Sequence, residues 1–334
     1  MRLFITGGAG FIGSNFIRQT LRTHPDYHLV NFDKLTYAGN LDNLKDIEES
    51  PNYTFIRGDI CDRTSVDQAI ARADTVINFA AESHVDRSIE NASAFVQTNV
   101  LGTQVLLDAA RAAGVKRFFQ ISTDEVMGSC GESEYFTESS AMAPNSPYAA
   151  SKAAAEHLVR AAHVTFGLDV VMTRASNNYG PYQFPEKLIP LVIINALNDK
   201  PLPVYGDGLY VRDWLYVADH CAAIDAVLHR GSIGEVYNIG GNNEWKNIDL
   251  VRLILARLGK PVELIRFVKD RPGHDRRYAI DASKLRDRLG WKPARTFDEG
   301  ISQTIEWYSK NRSWWMRVMT GEYLQYYSSQ YPEG

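Results

Sequence analysis

The chain has 334 residues, 45% of them hydrophobic and 23% charged, which is enough apolar material for a large core and excludes a disordered, collagenous or low-complexity chain. Its 36 basic and 40 acidic residues leave a net charge of -4, so neither nucleic acid nor an anionic membrane is an expected partner. Cys61, Cys130 and Cys221 are too few and too widely spaced for a disulfide framework or a metal-ligand motif, and they predict reduced thiols in a cytoplasm with no metal. The longest apolar run, residues 188–197, is too short to span a bilayer.

From Arg2 to Arg174 short β-branched runs alternate with longer amphipathic stretches, the pattern of βαβ units. Residues 3–6, 28–32, 53–57, 75–80, 117–122 and 170–174 are the strand candidates. Residues 14–24, 41–49, 65–71, 93–114 and 146–167 are the helix candidates, most opened by Ser, Asn or Asp or closed by Gly. The implied fold class is α/β, a Rossmann-type doubly wound parallel sheet with helices on both faces. Beyond Ser176, Pro181, Pro185, Pro190, Pro201 and Pro203 break the chain into loops and short helices, which predicts a smaller α/β substrate-binding domain. A helix from about Trp214 to Leu228 and a strand at 236–240 read as one more βα unit returning to the large sheet. The expected division is therefore 1–176 with 213–241 as one domain and 177–212 with 242–334 as an interleaved second. The aromatic stretch from Trp314 to Tyr331 reads as packed structure.

Residues 7–13, GGAGFIG, place Gly7, Gly10 and Gly13 between the first strand and the first helix. Glycines allow a tight turn and close approach to a pyrophosphate, and the helix start offers free N–H groups and a positive dipole end. Asp33 ends the second strand, where a carboxylate accepts bonds from ribose hydroxyls and repels a 2′-phosphate, so NAD is expected over NADP. Asp59, after the third strand, is placed to reach the adenine edge.

Tyr148 and Lys152 stand four residues apart on a predicted helix and share a face. A free phenol titrates near ~10, and a nearby ammonium lowers that value, which makes Tyr148 a candidate base towards a sugar hydroxyl. Thr123 falls at the end of the fifth strand, on the carboxyl edge where ligands bind in such sheets. Asp124 and Glu125 follow it and offer a second acid and a second base, which a simple dehydrogenase does not need.

The blocks GGAGFIG, AAESHVDRS, STDEV, YAASKA, NNYGPYQFPEKLIP, YGDGLYVRDW and DRPGHDRRYAID together resemble the dTDP-glucose 4,6-dehydratases of the extended short-chain dehydrogenase/reductase superfamily, over essentially the whole chain. The glycine motif and YxxxK belong to the whole superfamily. The TDE block discriminates, because related epimerases and decarboxylases lack the Asp-Glu pair. The resemblance implies a lyase in which Tyr148 takes the 4-hydroxyl proton, supported by Thr123 and Lys152, Glu125 takes the C5 proton and Asp124 protonates the departing 6-hydroxyl. It further implies that Phe11, Ile12, Asp33, Lys34, Thr36, Asp59, Ile60, Ala80, Ala81, Ser83, Thr98 and Asn178, with Tyr148 and Lys152, contact NAD beside the glycine turn.

For the dTDP-glucose substrate the resemblance implies Lys187, Arg212, Arg271 and His274 at the diphosphate, the two arginines being suited to bidentate binding. His84, Asn177, Leu188, Asn247 and Tyr278 match positions around the sugar and nucleotide, and Pro203, Val204 and Tyr205 match the wall near the base. It also implies a homodimer through a four-helix interface built on Ser93–Ala113 and Ser146–Thr165, and a place in deoxysugar synthesis, whether of rhamnose or another sugar. Met127 departs from the pattern, standing where the family has tyrosine in TDEVYG, a ring beside the nicotinamide or sugar, and an effect on packing, rate or the accepted sugar is expected. Trp245 is a second local difference. The rival readings are a 4-epimerase, a dehydratase of another nucleotide sugar, and a non-catalytic NAD sensor; the presence of both Tyr148 and Lys152 argues against the last.

Overall fold

A computed structural model describes residues 1–319, so the part of the aromatic stretch from 320 to 331 lies outside the described residues. The chain opens with β1 (Arg2–Thr6), the glycine turn and α1 (Phe11–Thr23), followed by β2 (His28–Asp33), β3 (Tyr53–Arg57), α2 (Arg63–Ala69) and β4 (Thr75–Asn78). Residues 41–47 wind as a 3-10 helix rather than an α-helix. Next come α3 (Val85–Glu90), α4 (Ala92–Phe95) and α5 (Thr103–Ala112), with a π-helical segment at Val96–Gly102 between the last two. The wider turn carries the buried Asn99, whose side chain bonds both Glu82 N (2.9 Å) and Glu82 O (3.0 Å) and pins the loop after β4.

β5 (Arg117–Thr123), α6 (Pro147–Phe166) and β6 (Val170–Ala175) complete the first half. Ser146 caps α6 through Ala149 N (3.1 Å), Pro147 opens it, and Gly167 at φ 70° ends it. The second half holds β7 (Asn177–Tyr179), α7 (Leu188–Leu197), β8 (Leu202–Tyr205), β9 (Val211–Tyr216), α8 (Val217–Arg230), β10 (Val236–Ile239), β11 (Glu244–Lys246), α9 (Asn247–Leu258), β12 (Ile265–Val268), α10 (Ser283–Leu289), α11 (Phe297–Lys310) and α12 (Arg312–Val318).

Seven strands form one sheet in the order β10-β6-β5-β4-β1-β2-β3, every adjacent pair parallel. The alternation of β1 divides its side chains between two cores, Leu3 and Ile5 on one face and Phe4 on the other. Each such buried side chain contributes about 1.5–3 kcal/mol. A third core, gathered around α7, α9 and α11, holds the second substructure together.

The helix expected from Trp214 begins later. Residues 211–216 form β9, paired in parallel with β7 and antiparallel with β11, and α8 starts at Val217. Period two explains the strand: Trp214 and Tyr216 face the core around α7 while Leu215 faces that of the large sheet, so the segment is buried on both sides. α8 and β10 return to the large sheet, where β10 extends the edge beside β6, and α10 packs there as well, with Leu285 in the same core. Among the described residues, no helix is long and apolar enough to cross a membrane.

Candidate active site

The strand order reverses between β1 and β4, and a cleft of about 300 Å³ opens at the carboxyl ends of the parallel strands there. Its floor is the glycine turn. Gly7 has φ 70°, and a Cβ there would stand 2.6 Å from Ala80 N; one at Gly13 would stand 2.5 Å from Gly7 O. Gly10 caps α1 without any side chain, so the first N–H groups of that helix face the cleft. Asp33 accepts from Leu35 N (2.8 Å) and Ala9 N (2.9 Å), one bond per carboxylate oxygen, which leaves each a second lone pair for a ribose hydroxyl. Burial raises its pKa against those two bonds. The bare turn, the open helix start and this carboxylate fit a dinucleotide.

All the residues assigned above to NAD line this one cleft: Gly7, Gly10, Phe11, Ile12, Gly13, Asp33, Lys34, Thr36, Asp59, Ile60, Ala80, Ala81, Ser83, Thr98, Tyr148, Lys152 and Asn178. Lys34 and Asp59 pair with each other at 2.8 Å across its rim. Thr123, Asp124, Glu125, Asn177 and Lys187 line it too.

β5 delivers Thr123 at its last position, and a 3-10 turn over Asp124–Met127 carries the two carboxylates. Thr123 Oγ1 accepts from Glu125 N (3.3 Å) and donates to Asp124 Oδ1 (3.3 Å). Asp124 Oδ2 is buried without a partner among the described residues. Burial, then Glu125 and Asp213, hold the Asp124 carboxyl well above the usual carboxylate range. Burial also raises Glu125, but Arg271, Arg212 and Lys187 act against it. Both carboxyls are raised, Asp124 with the weaker cationic opposition, which favours it as the acid of the pair.

Tyr148 is 8% exposed on the first turn of α6. Burial and then Glu125 push its phenol above the ordinary value, and a hydrogen bond with Thr123 opposes them. The expected lowering by Lys152 is absent. Lys152 Nζ instead donates to Ile121 O (2.7 Å), and burial pulls its ammonium down to about 8, with Glu156 resisting.

The remaining substrate positions surround the Glu125 side of the cleft. Lys187 Nζ donates to Ser83 O (2.8 Å), beside His84, whose burial pulls it down to about 4. Arg271 pairs with Asp86 (2.8 Å), and Tyr205 donates to the other oxygen of that carboxylate (3.0 Å). Arg212 lies 4.1 Å over the Tyr278 ring and bonds Asp275 O (2.9 Å), while Tyr278 donates to Asp275 Oδ2 (2.8 Å). His274 stacks on Tyr210 at 3.6 Å and bonds Asp270 (2.7 Å). Leu188 opens α7 behind Lys187. Arg271 Nε, Asn177 Oδ1 and Asn247 Oδ1 are buried polar atoms without partners among the described residues, the kind of atom a ligand satisfies.

Two expectations change. Val204 is 2% exposed in the core around α7, so of the three residues expected at the base only Pro203 and Tyr205, which alternate with it on β8, share the opposite face. Met127 does not line the cleft; it is 2% exposed, packs with Val126, Ala153 and Ile280, and its sulfur lies 3.7 Å from Arg174 Nη1. Its 3-10 turn points it away from the sugar side, so the replacement of an aromatic ring there is a change of core packing. Trp245 stacks on Phe297 at 5.1 Å and ties β11 to α11.

Several cleft residues had no sequence signal. His220 lines the cleft from α8, bonds Asn178 Oδ1 through Nδ1 (2.8 Å), and is pulled down to about 3 by burial. Gln183 Nε2 bonds Asn178 O (2.8 Å), and the loop that carries it also carries Glu186, the partner of Arg87 at 3.1 Å. Arg87 in turn lies 4.1 Å over Tyr37, whose ring meets Phe184 edge-on at 5.4 Å.

The model of the GDP-mannose 4,6 dehydratase family matches residues 4–304. A dTDP-glucose 4,6-dehydratase of Xanthomonas campestris pv. campestris (strain B100) is 55% identical over 96% of each chain, and one from Neisseria meningitidis serogroup B is 52% identical over 96% of this chain and 97% of its own. This chain belongs to the dTDP-glucose 4,6-dehydratase family. Among solved structures, the family member from Streptomyces venezuelae with NAD and TYD bound has a TM-score of 0.93 at 50% identity, covering 95% of this chain and 100% of that one. A UDP-glucuronic acid 4-epimerase from Bacillus cereus, in complex with UDP-glucuronic acid and NAD, has a TM-score of 0.88 at 30% identity, covering 93% and 99%. The backbone is therefore common to dehydratases and epimerases, and what separates them lies in side chains.

Proposed function

We propose that this chain is a hydro-lyase that converts dTDP-glucose to dTDP-4-keto-6-deoxyglucose with NAD. The observation that carries this reading is the Asp124–Glu125 pair beside the Tyr148 phenol in the same cleft, both carboxyls raised by burial but only Glu125 opposed by three cationic side chains. A 4-epimerase needs no acid at C6.

NAD, when bound, supplies a hydride acceptor for C4, a hydride donor for C6 and a positive charge in the cleft. The chain's residues do the rest. Tyr148 accepts the 4-hydroxyl proton as the phenolate, a form that the positive charge of the bound cofactor would favour against the burial that raises its pKa, with Thr123 hydrogen-bonded to its oxygen and Lys152 fixed on β5 behind it. The 4-ketone acidifies C5–H. Glu125 removes that proton, and Asp124 gives its own to the 6-hydroxyl, so the C6–O bond breaks and water leaves. Glu125, now protonated and exchanging that proton with solvent, returns a proton to C5 as C6 is reduced. Asp124 begins as the acid because no cation offsets its burial as strongly as Glu125's is offset.

Lys187, Arg212, Arg271 and His274 bind the diphosphate, and Arg271 Nε offers a donor that is buried and without a partner. Pro203 and Tyr205 face the base, while His84, Asn177, Leu188, Asn247 and Tyr278 border the sugar and nucleotide. Two copies associate through the helices around Ser93–Ala113 and Ser146–Thr165. Ala150, His157, Ala161 and Val164 form one exposed face of α6, and Val96 and Leu101 are 55% and 51% exposed beside it. Light scattering that gives the monomer mass removes the dimer from this reading.

The deciding experiment incubates the protein with dTDP-, UDP-, CDP- and GDP-glucose in heavy water and reads the products by mass. Loss of one water with one deuterium gained at C5, greatest with the dTDP sugar, is expected. A product of unchanged covalent formula refutes the dehydratase in favour of an epimerase.

A further inference from the structure

A second cluster of chemically capable side chains lies away from the cleft, at the far end of α1. His24 terminates that helix, and Asp225 and His229 stand four residues apart on one face of α8. His24 Nε2 is 2.8 Å from Asp225 Oδ1, and His229 Nδ1 is 3.4 Å from the same oxygen. One donor atom from each of the three residues falls within 4.8 Å of the others. Around a tetrahedral ion with bonds of about 2.0–2.1 Å, ligand atoms sit roughly 3.3 Å apart, and the two distances to Asp225 bracket that edge.

We propose that His24, Asp225 and His229 form a site for a zinc-class divalent transition metal that clamps the end of α1 to α8. Two imidazoles and one carboxylate are a borderline donor set that favours such ions over magnesium or calcium, which prefer oxygen cages. The surroundings orient the rings. Tyr27 OH bonds His229 Nε2 (2.9 Å), and the Tyr27 ring stacks on His24 at 4.6 Å with the planes 11° apart. His229 Nδ1 also lies 2.8 Å from the main-chain Asp225 O, so the ring is held at both nitrogens; an ion would take Nδ1 in exchange for that helical contact while Tyr27 keeps Nε2 and the ring's orientation. The three ligating side chains keep 24%, 30% and 29% of their surface, which leaves a path for an ion and a fourth position for water. The ligands come from positions 201 residues apart, so no spacing in the sequence could show them. The consequence is mechanical: α1 starts at the glycine turn and α8 carries His220 behind Asn178, so the ion would tie together two helices that frame the cofactor cleft.

The test uses the full-length, NAD-loaded protein after chelator treatment, dialysed against Zn2+ with Mg2+ as control, and counts bound metal per chain. One Zn2+ per chain and no Mg2+ is expected. Asp225→Asn and His229→Ala should each weaken Zn2+ binding by at least about 10- to 100-fold, since loss of mere outer partners of metal ligands already costs that much. Both variants should keep their NAD content, which separates lost ligation from lost folding. Co2+ substitution reports the donor atoms: visible bands without sulfur-to-cobalt charge transfer support the site. A charge-transfer band, which would place the metal on a thiol such as Cys61, overturns the proposal. So does Zn2+ binding unchanged in the two variants, or no binding at all, which leaves the cluster as a hydrogen-bonded contact.

Discussion

Replacing Asp124 by Asn tests the division of labour between the two carboxylates. The substitution is nearly isosteric and replaces a carboxyl that burial and Glu125 push towards its protonated form by a neutral amide. Asp124 Oδ2 has no partner to lose, and Oδ1 keeps the bond from Thr123 at 3.3 Å, so the fold should lose no more than about 1 kcal/mol. Catalysis should suffer far more. An amide cannot protonate the 6-hydroxyl, and loss of a positioned general acid costs about 10²–10⁴ in rate, or roughly 3–5 kcal/mol of barrier. Tyr148 and Thr123 are untouched, so C4 oxidation continues. Stopped-flow absorbance should therefore show reduced cofactor accumulating after mixing with dTDP-glucose, while mass analysis shows water loss slowed. The pH profile should change as well: the acid must carry its proton, so the wild-type rate falls as pH rises through its elevated pKa, and the Asn variant loses that alkaline limb. Wild-type kcat in Asp124→Asn, or a variant that no longer oxidises C4, refutes the assignment.

Tyr148→Phe should abolish C4 oxidation itself and leave the cofactor oxidised, and activity in that variant removes the phenol from its role. Glu156→Gln breaks the buried pair with Arg174, 2.8 Å apart and 1% and 4% exposed, and leaves a lone guanidinium inside; urea unfolding should show a loss of about 3–5 kcal/mol. Met127→Ala should cost about 2–5 kcal/mol in the same assay while the KM for dTDP-glucose stays put, because the side chain fills a core and not the cleft. His220 is held near 3 in the folded chain against 6.5 when exposed, so the stability from keeping it neutral is present above pH ~6.5 and is lost as pH falls towards 3. From pH 7 to pH 5 that amounts to about 2 kcal/mol, and His220→Gln should lose less stability than the wild type by that amount over the same interval; parallel curves refute it.

The large sheet was legible because its strands announce themselves. Phe118, Phe119 and Ile121, and the run Val170 to Thr173, supply the apolar and β-branched character of parallel strands, and helix α6 carries Ser146, Pro147 and Gly167 at the positions that start and stop it. The dinucleotide turn and the Thr123–Glu125 block were legible for a related reason, since their chemistry is packed into consecutive residues. What failed was whatever depends on two chain segments meeting. Trp214–Tyr216 reads as the start of α8, and only pairing with β7 and β11 makes it a strand. Lys152 has helical spacing to Tyr148, yet its ammonium goes to Ile121 O because burial on α6 brings that carbonyl within 2.7 Å. Asp86 carries no mark of its own until Arg271, 185 residues later, reaches it.

The protonation states of the catalytic pair have the same origin. In a 3-10 turn successive side chains diverge by about 120°, so Asp124 and Glu125 meet different surroundings despite adjoining in sequence. Asp124 faces Thr123 and feels Asp213, and its burial goes largely unopposed. Glu125 feels Arg271, Arg212 and Lys187, all delivered by the second half of the chain. The segments that would hold the nucleotide diphosphate therefore also set the charge of the base. On the proposed reading this couples binding to chemistry: a diphosphate among those cations offsets the positive charge that limits the rise of the Glu125 pKa, so that pKa rises further and Glu125 becomes a stronger base when substrate is in place. Asp124, with less cationic support to lose, stays the acid throughout. The two halves of the molecule thus share one reaction, the first supplying the cofactor turn and reacting groups, the second supplying the field that tells two neighbouring carboxyls apart.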